Sequence, residues 1–219
     1  MNQQRNGSLY KFDHRPVFKC ESSGMKWNRI RSPCKFNKND ECPLSFEHQV
    51  ADNGTLHFAF TYPYTYTMVQ DDLNQFNNHV NLMDKPDSIF YQRELVTNSP
   101  DGLRIDFVTI TSVDGASSET EDVLPGLFPD NLGPEAPQRP PVFPEKEVMF
   151  ISARVHSGEV PAQHTFKGIF DFLMDPNDVR AKEMRRRYVF KMIPILNPDG
   201  MYNKQIKHEV EYNFYVHII

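Results

Sequence analysis

Residues 148–159 read VMFISARVHSGE, an almost continuous apolar run followed by a short polar turn. A run such as Val148 to Ala153 is typical of a strand that is buried on both faces of a sheet. A second apolar run, YVFKMIPIL at residues 188–196, leads into the turn NPDG at residues 197–200. The two runs therefore predict two buried strands, each closed by polar residues.

The segment between the two predicted strands has the periodicity of an amphipathic helix. Its apolar positions at i, i+3, i+4 and i+7 are Phe166, Ile169, Phe170 and Leu173. Pro161 suits the first turn of this helix, and a second, charged helix is predicted at residues 178–187. A strand, helix and strand in this order place the two strands side by side and parallel. Ligands of open α/β sheets bind beyond the carboxyl ends of such strands, where residues 156–159 and 197–200 are expected.

His156 and Glu159 are candidate metal ligands because both follow directly after a predicted buried strand. Imidazole nitrogen and carboxylate oxygen suit Zn²⁺, and a catalytic zinc takes three protein ligands and a water molecule. The spacing alone is weak support, since His208 and Glu211 share it without a preceding apolar strand. We interpret His208 and Glu211 as a solvated charge pair.

The residues upstream of the first run contain shorter predicted elements. A half-buried strand is predicted at residues 55–60 and a helix at residues 67–80. Residues 95–96 and 103–110 then read as a hairpin, with the turn signals Pro and Asp-Gly between them. Residues 114–146 are acidic, rich in Pro and Ser, and without periodicity, which predicts a long surface insertion.

Composition argues against several classes of protein, although a local basic patch remains open. The 219 residues carry a net charge of −5 with a pI of about 5.9, whereas nucleic-acid binders usually have a basic excess. No stretch approaches the roughly 20 apolar residues that span a bilayer, and the N-terminus lacks the apolar run of a signal peptide. Cys20, Cys34 and Cys42 are odd in number and widely spaced. Free thiols in a reducing compartment, and hence a cytoplasmic location, are expected.

Residues 154–159 and 190–200 resemble the start of the catalytic domain of the cytosolic carboxypeptidases. Members of this M14-like family are zinc metallocarboxypeptidases that remove glutamates from tubulin tails. Further motifs of the resemblance are at residues 58–66, 91–95, 101–106 and 127–129. The resemblance implies the front part of a carboxypeptidase-like α/β domain with a mixed sheet, in residues 61–203. It also implies a C-terminal fragment of a β-sandwich domain in residues 1–60 and a divergent tail in residues 204–219.

The same resemblance implies that His156 and Glu159 are the first two ligands of a Zn²⁺ ion. The third ligand, a distant His, and the general-base Glu are absent from the matched segments, as are the arginines that clamp the substrate. His208 and His217 are the only substitutes in the tail, and we expect neither to be the third ligand. No catalytic or substrate-binding residue is therefore assigned, and the chain is expected to be incomplete and inactive alone.

The implied partners are polyglutamylated tubulin or other glutamylated protein tails, with no nucleic acid and no membrane. The implied location is cytoplasmic, with microtubule association or the nucleus as alternatives. The alternative function is that of a non-catalytic short isoform that binds tubulin or another partner. A basic cluster (Arg180, Lys182 and residues 185–187) and three tyrosines (Tyr62, Tyr64 and Tyr66) could meet acidic tails. A solvated helix end and simple packing are the simpler interpretations.

Overall fold

The computed structural model describes residues 9–21, 26–37, 44–49, 54–77, 89–133 and 136–202. Within these residues the chain divides into two compact units, one ending at Pro63 and the other beginning at Tyr64. No helix in the described ranges is long and apolar enough to cross a membrane. Neither Cys20 nor Cys34 forms a disulfide among these residues, and Cys42 lies outside them.

The first unit is built from short antiparallel strands. β1 (Val17–Cys20) pairs with both β2 (Asn28–Arg29) and β5 (Leu56–Ala59). A separate pair consists of β3 (Lys35–Phe36) and β4 (Leu44–Ser45). The strand predicted at residues 55–60 corresponds to β5. Its position opposite β1 buries Val17 and Cys20.

The second unit contains a four-stranded mixed sheet in the order β6-β7-β9-β8. β6 (Ile89–Asn98) and β7 (Arg104–Ser112) form the predicted hairpin, with longer strands than expected. β9 (Tyr188–Ile193) is antiparallel to β7 and parallel to β8 (Glu147–Ser152). The predicted parallel pair and the mixed α/β fold are therefore confirmed.

The expectation that the first apolar run is buried on both faces is wrong for the described residues. β8 lies at one edge of the sheet, where Val148 and Phe150 are 63% and 61% exposed. β9, by contrast, has neighbours on both sides and is buried from Val189 to Ile193. The apolar composition of the two strands is similar, so their difference in burial comes from their position in the sheet.

In the described part of the second unit, four α-helices accompany the sheet: α1 (Tyr66–Asn77), α2 (Val160–Met174), α3 (Val179–Arg187) and α4 (Pro198–Tyr202). Three of them match predicted helices, and residues 78–80 of the first prediction lie outside the described residues. α2 buries Phe166, Phe170 and Leu173 as its periodicity predicts. The Asp178 side chain caps α3 by accepting hydrogen bonds from the backbone N–H groups of Arg180 and Ala181. The core joins these helices to β7 and β9 through residues such as Val108, Ile110 and Met192.

Residues 114–146 contain little regular structure, yet several of their side chains are buried: Phe128, Arg139, Pro140 and Phe143. Arg139 donates from Nη1 to Glu94 Oε2 at 2.9 Å and from Nη2 to Glu121 Oε2 at 3.0 Å. Lys191 of β9 also forms an ion pair with Glu121. Burial raises the pKa of Glu94 although the Arg139 charge opposes this effect. The segment is thus anchored to the sheet by a group of four charges, of which Glu94, Arg139 and Lys191 are buried and Glu121 is partly exposed.

Candidate metal centre

The chain segments that follow β8 and β9 run side by side at one edge of the sheet. The Ala153 N–H donates to the Ile193 carbonyl at 3.0 Å, and the Leu196 N–H donates to the Ala153 carbonyl at 3.0 Å. The Asn197 N–H continues this pairing by donating to the Arg154 carbonyl at 3.1 Å. Residues 156–159, which we term the metal loop, therefore lie beside residues 197–200, as the order of strands predicts.

His156 and Glu159 come together at the surface of this edge. Nδ1 of His156 is 3.0 Å from Oε1 of Glu159, and the two side chains are 76% and 54% exposed. A backbone hydrogen bond from the Glu159 N–H to the His156 carbonyl, at 3.1 Å, closes the turn between them. Two ligand atoms about 2.0–2.2 Å from one tetrahedral zinc lie about 3.3–3.6 Å apart. The two donor atoms are of the types that suit zinc, and their hydrogen-bond separation of 3.0 Å would widen by about 0.3–0.6 Å if both bound one tetrahedral ion.

Arg154 is a buried residue whose side chain contacts the backbone of the metal loop. Its φ is +57°, in the left-handed region, and its side chain is buried. Nη2 donates to the Ser157 carbonyl at 2.6 Å, and Nη1 donates to the Tyr64 carbonyl at 3.4 Å. Burial lowers the pKa of Arg154, and the nearby Glu159 carboxylate partly offsets this effect. No pattern in the sequence predicts this role for Arg154, although it belongs to the same motif as the two candidate ligands.

Residues 197–200 form a tightly packed wall next to the metal loop. Asn197 Nδ2 donates to the Val155 carbonyl at 3.3 Å, and Asn197 Oδ1 accepts from the Gly200 N–H at 3.0 Å. Asp199 accepts from Ser99 Oγ at 2.5 Å and from the Asp101 N–H at 3.3 Å. The carboxylate of Asp199 thus ties the β6–β7 turn to the start of α4, which indicates a structural role.

Within the described ranges, no group of three His, Cys, Asp or Glu side chains could hold a metal ion. Among the described residues, His156 and Glu159 therefore have no third possible metal ligand close to them. His208, Glu211 and His217 lie outside the described residues. The first unit contains a second pair, in which His57 Nε2 is 2.6 Å from Glu21 Oε1. Proximity of one His and one Glu is thus not specific to a metal site.

Most charges of the basic cluster have acidic or carbonyl partners. Arg180 pairs with Asp178 at 2.6 Å. Arg186 and Arg187 both pair with Glu183, at 2.8 and 2.5 Å. Arg185 is buried and donates from Nη1 to the carbonyls of Leu173 and Asp175. These contacts favour a structural interpretation of the cluster. Tyr64 and Tyr66 make ring contacts with His164 and Tyr202, consistent with packing.

Comparison with known proteins identifies relatives over most of the chain. The zinc carboxypeptidase family Peptidase M14 matches residues 76–213. Cytosolic carboxypeptidase-like protein 5 of Homo sapiens is 40% identical over 209 residues, which cover 92% of this chain and 23% of the relative. Cytosolic carboxypeptidase 6 of Mus musculus is 30% identical over 210 residues, covering 92% of this chain and 32% of the relative. The chain thus spans less than a third of these relatives' length.

Solved structures share the fold. A putative carboxypeptidase A from Shewanella denitrificans superposes with a TM-score of 0.59 at 19% identity, over 88% of this chain and 39% of that one. A metallo-carboxypeptidase from Pseudomonas aeruginosa, in complex with (2-guanidinoethylmercapto)succinic acid, gives 0.59 at 18% identity, over 91% and 41%. The mixed sheet, the His156–Glu159 pair at its edge and the match over residues 76–213 lead to one assignment. The chain belongs to the M14 family of zinc carboxypeptidases, whose metal is Zn²⁺.

Proposed function

We propose that this chain supplies the first two zinc ligands of a metallocarboxypeptidase that removes glutamates from polyglutamylated protein tails, including those of tubulin. The observation that carries the proposal is the position of His156 and Glu159, which lie in contact where β8 ends at the carboxyl edge of the parallel strands. The resemblance of residues 154–159 and 190–200 to the cytosolic carboxypeptidases supports the substrate class. The names of the relatives support a cytoplasmic location.

The two side chains have complementary tasks in this proposal. His156 offers Nδ1, which must carry no proton when it binds the metal, and Glu159 offers an anionic oxygen that neutralises part of the metal charge. Zinc, when bound, polarises the scissile carbonyl and lowers the pKa of its water molecule. Two protein ligands leave room for a third ligand and for water. Exposure of both side chains keeps the pair accessible to a polypeptide tail.

A zinc titration tests the metal site. Imidazole signals would be followed by NMR during addition of Zn²⁺, with the His156 signal assigned by its absence from H156A. We expect zinc to shift the His156 signal, and we expect E159Q to weaken the apparent affinity about tenfold or more, because one of two ligands loses its charge. H57A and E21Q, which break the other His–Glu pair, are matched controls and should leave the His156 response unchanged. A response of His156 that is indifferent to E159Q would refute the site.

An assay of glutamate release tests whether the chain supplies only two of the three protein ligands that a catalytic zinc needs. We expect the 219 residues alone to release no glutamate from an oligoglutamate-tailed peptide, with or without added zinc, because a catalytic zinc needs a third protein ligand. Chelator-sensitive release that is lost in H156A would show that the missing groups are present elsewhere in the chain. Chelator-insensitive binding of the peptide without release would favour the non-catalytic alternative.

A further inference from the structure

The backbone at Arg154 adopts a conformation that needs external support. Its φ of +57° lies in the left-handed region, which residues with a Cβ rarely occupy. Such a conformation persists only where surrounding contacts over-determine it. Here the Arg154 carbonyl accepts the Asn197 N–H at 3.1 Å, and the side chain is only 4% exposed. The turn out of β8 into the metal loop is therefore fixed at this residue.

The Arg154 guanidinium joins two chain segments that are far apart in sequence. One nitrogen donates to the carbonyl of Ser157, which lies between the two metal ligands, and another donates to the carbonyl of Tyr64, 90 residues earlier. Both acceptors are main-chain oxygen atoms, so the contacts specify the path of the backbone. The shorter bond, 2.6 Å, is the one to the metal loop.

The ligand side chains themselves have few constraints. Both are exposed, and the hydrogen bond of the His156 ring is to Glu159. Their relative position therefore depends on the backbone that carries them. We propose that Arg154 is a positioning residue that holds the metal loop in its zinc-binding conformation. This inference rests on the proposed zinc site. Partners that orient metal ligands typically change metal affinity by about 10- to 100-fold when they are removed.

An electrostatic role for Arg154 would have the opposite sign. The guanidinium is close enough to Glu159 for their charges to interact, and a positive charge disfavours a nearby cation. Removal of the charge alone would thus strengthen zinc binding, whereas loss of the positioning contacts weakens it. The direction of the change in affinity separates the two roles.

R154K and R154N test the proposal in the zinc titration described above. Lysine retains the charge but cannot present a planar fork to two carbonyls. Asparagine tolerates the left-handed region and is expected to fold even if R154K does not. We expect both variants to weaken zinc binding at His156 by about 10- to 100-fold. R185K is the matched control, because Arg185 is also buried and also donates to two carbonyls.

The control should lower the unfolding temperature and leave the zinc affinity of the folded protein unchanged. Wild-type affinity in R154N or R154K, while E159Q binds zinc weakly, would overturn the role of Arg154 and leave the zinc site standing. Tighter binding in R154N would also overturn it, in favour of the electrostatic role. If E159Q itself binds zinc like the wild type, the zinc site fails first.

Discussion

Gly200 leaves no room for a side chain next to the metal loop. An added Cβ would lie 2.9 Å from Asn197 Nδ2 and 3.0 Å from the Cβ of Ser157. We expect G200A to lower the free energy of unfolding by about 1–3 kcal/mol, because neighbours in a packed site must shift. Urea denaturation measures this loss, and a shifted His156 NMR signal would report the displaced metal loop.

The matched control is G168A, in the middle of α2, where an added Cβ meets nothing within 4 Å. Alanine should stabilise that helix by about 0.5–1 kcal/mol, because it loses less backbone freedom than glycine. Equal effects of the two substitutions would contradict the close approach at Gly200.

Asp106 is a buried carboxylate that forms ion pairs with Arg93 and Arg104. Burial raises its pKa, but hydrogen bonds from Arg93 and Gln70 and the charges of Arg93 and Arg104 outweigh burial, and the net pKa is lowered. A carboxyl group with a lowered pKa in the folded state stabilises the protein above its unfolded pKa of 3.8. That contribution is lost as the pH falls through the folded pKa.

D106N should therefore lose about 3–5 kcal/mol at pH 7, because the buried guanidinium of Arg93 loses its charged partner. The difference from the wild type should shrink below about pH 4, as urea denaturation at several pH values would show. D171N removes the exposed partner of Lys167 and should cost less than about 1 kcal/mol. A constant difference between D106N and the wild type down to pH 3 would contradict the assigned pKa direction.

At the scale of elements, the apolar pattern correctly predicted the helices and strands that pack against other described elements. The helix at residues 160–174 and the buried strand at residues 188–193 follow their apolar patterns. Composition alone could not predict that β8 is an edge strand, because an apolar run records which residues can be buried and not which neighbours cover them. The anchoring of residues 114–146 was also beyond prediction, since Phe128, Arg139 and Phe143 have no periodic spacing.

The anchoring of residues 114–146 depends on Arg139. We expect R139M to destabilise the protein by about 3–5 kcal/mol, because the buried Glu94 loses its cation. Hydrogen exchange should accelerate at the amides of Glu121 and Val142, which donate to Pro140 and Glu119 within the segment. The double variant E94Q/R139M should recover part of the loss. R187M, which breaks an exposed pair with Glu183, is the control and should change stability by less than about 1 kcal/mol.

At the scale of the molecule, β8 presents an apolar edge. Among the described residues it pairs only with β9, and its outward side chains include Val148 and Phe150. Unpaired edges of this kind promote association between chains. We expect V148K/F150K to slow aggregation at 37 °C, as measured by light scattering. V179K places a lysine on α3, where Val179 is 75% exposed, and should have little effect because no strand edge is involved.

The candidate site shows where prediction from sequence ends. The position of the two candidate ligands after a strand could be predicted, because the strand and the turn that carries them are contiguous in the chain. The long-range contacts around them could not, because Arg154 reaches Tyr64 across 90 residues, and Asp199, in the neighbouring wall, reaches Ser99 across 100. Such pairings depend on the arrangement of the whole unit and leave no local pattern.

The same long separations set an order of events during protein synthesis. The candidate ligands at positions 156 and 159 leave the ribosome about 40 residues before Asn197, which donates hydrogen bonds to the carbonyls of Arg154 and Val155 just before the metal loop. Contacts between residues distant in sequence form late, because the intervening chain must first be closed into a loop. The nascent chain therefore carries both ligands before it has a shaped metal site. Zinc uptake should accordingly report completion of the carboxyl edge rather than the first appearance of the ligands.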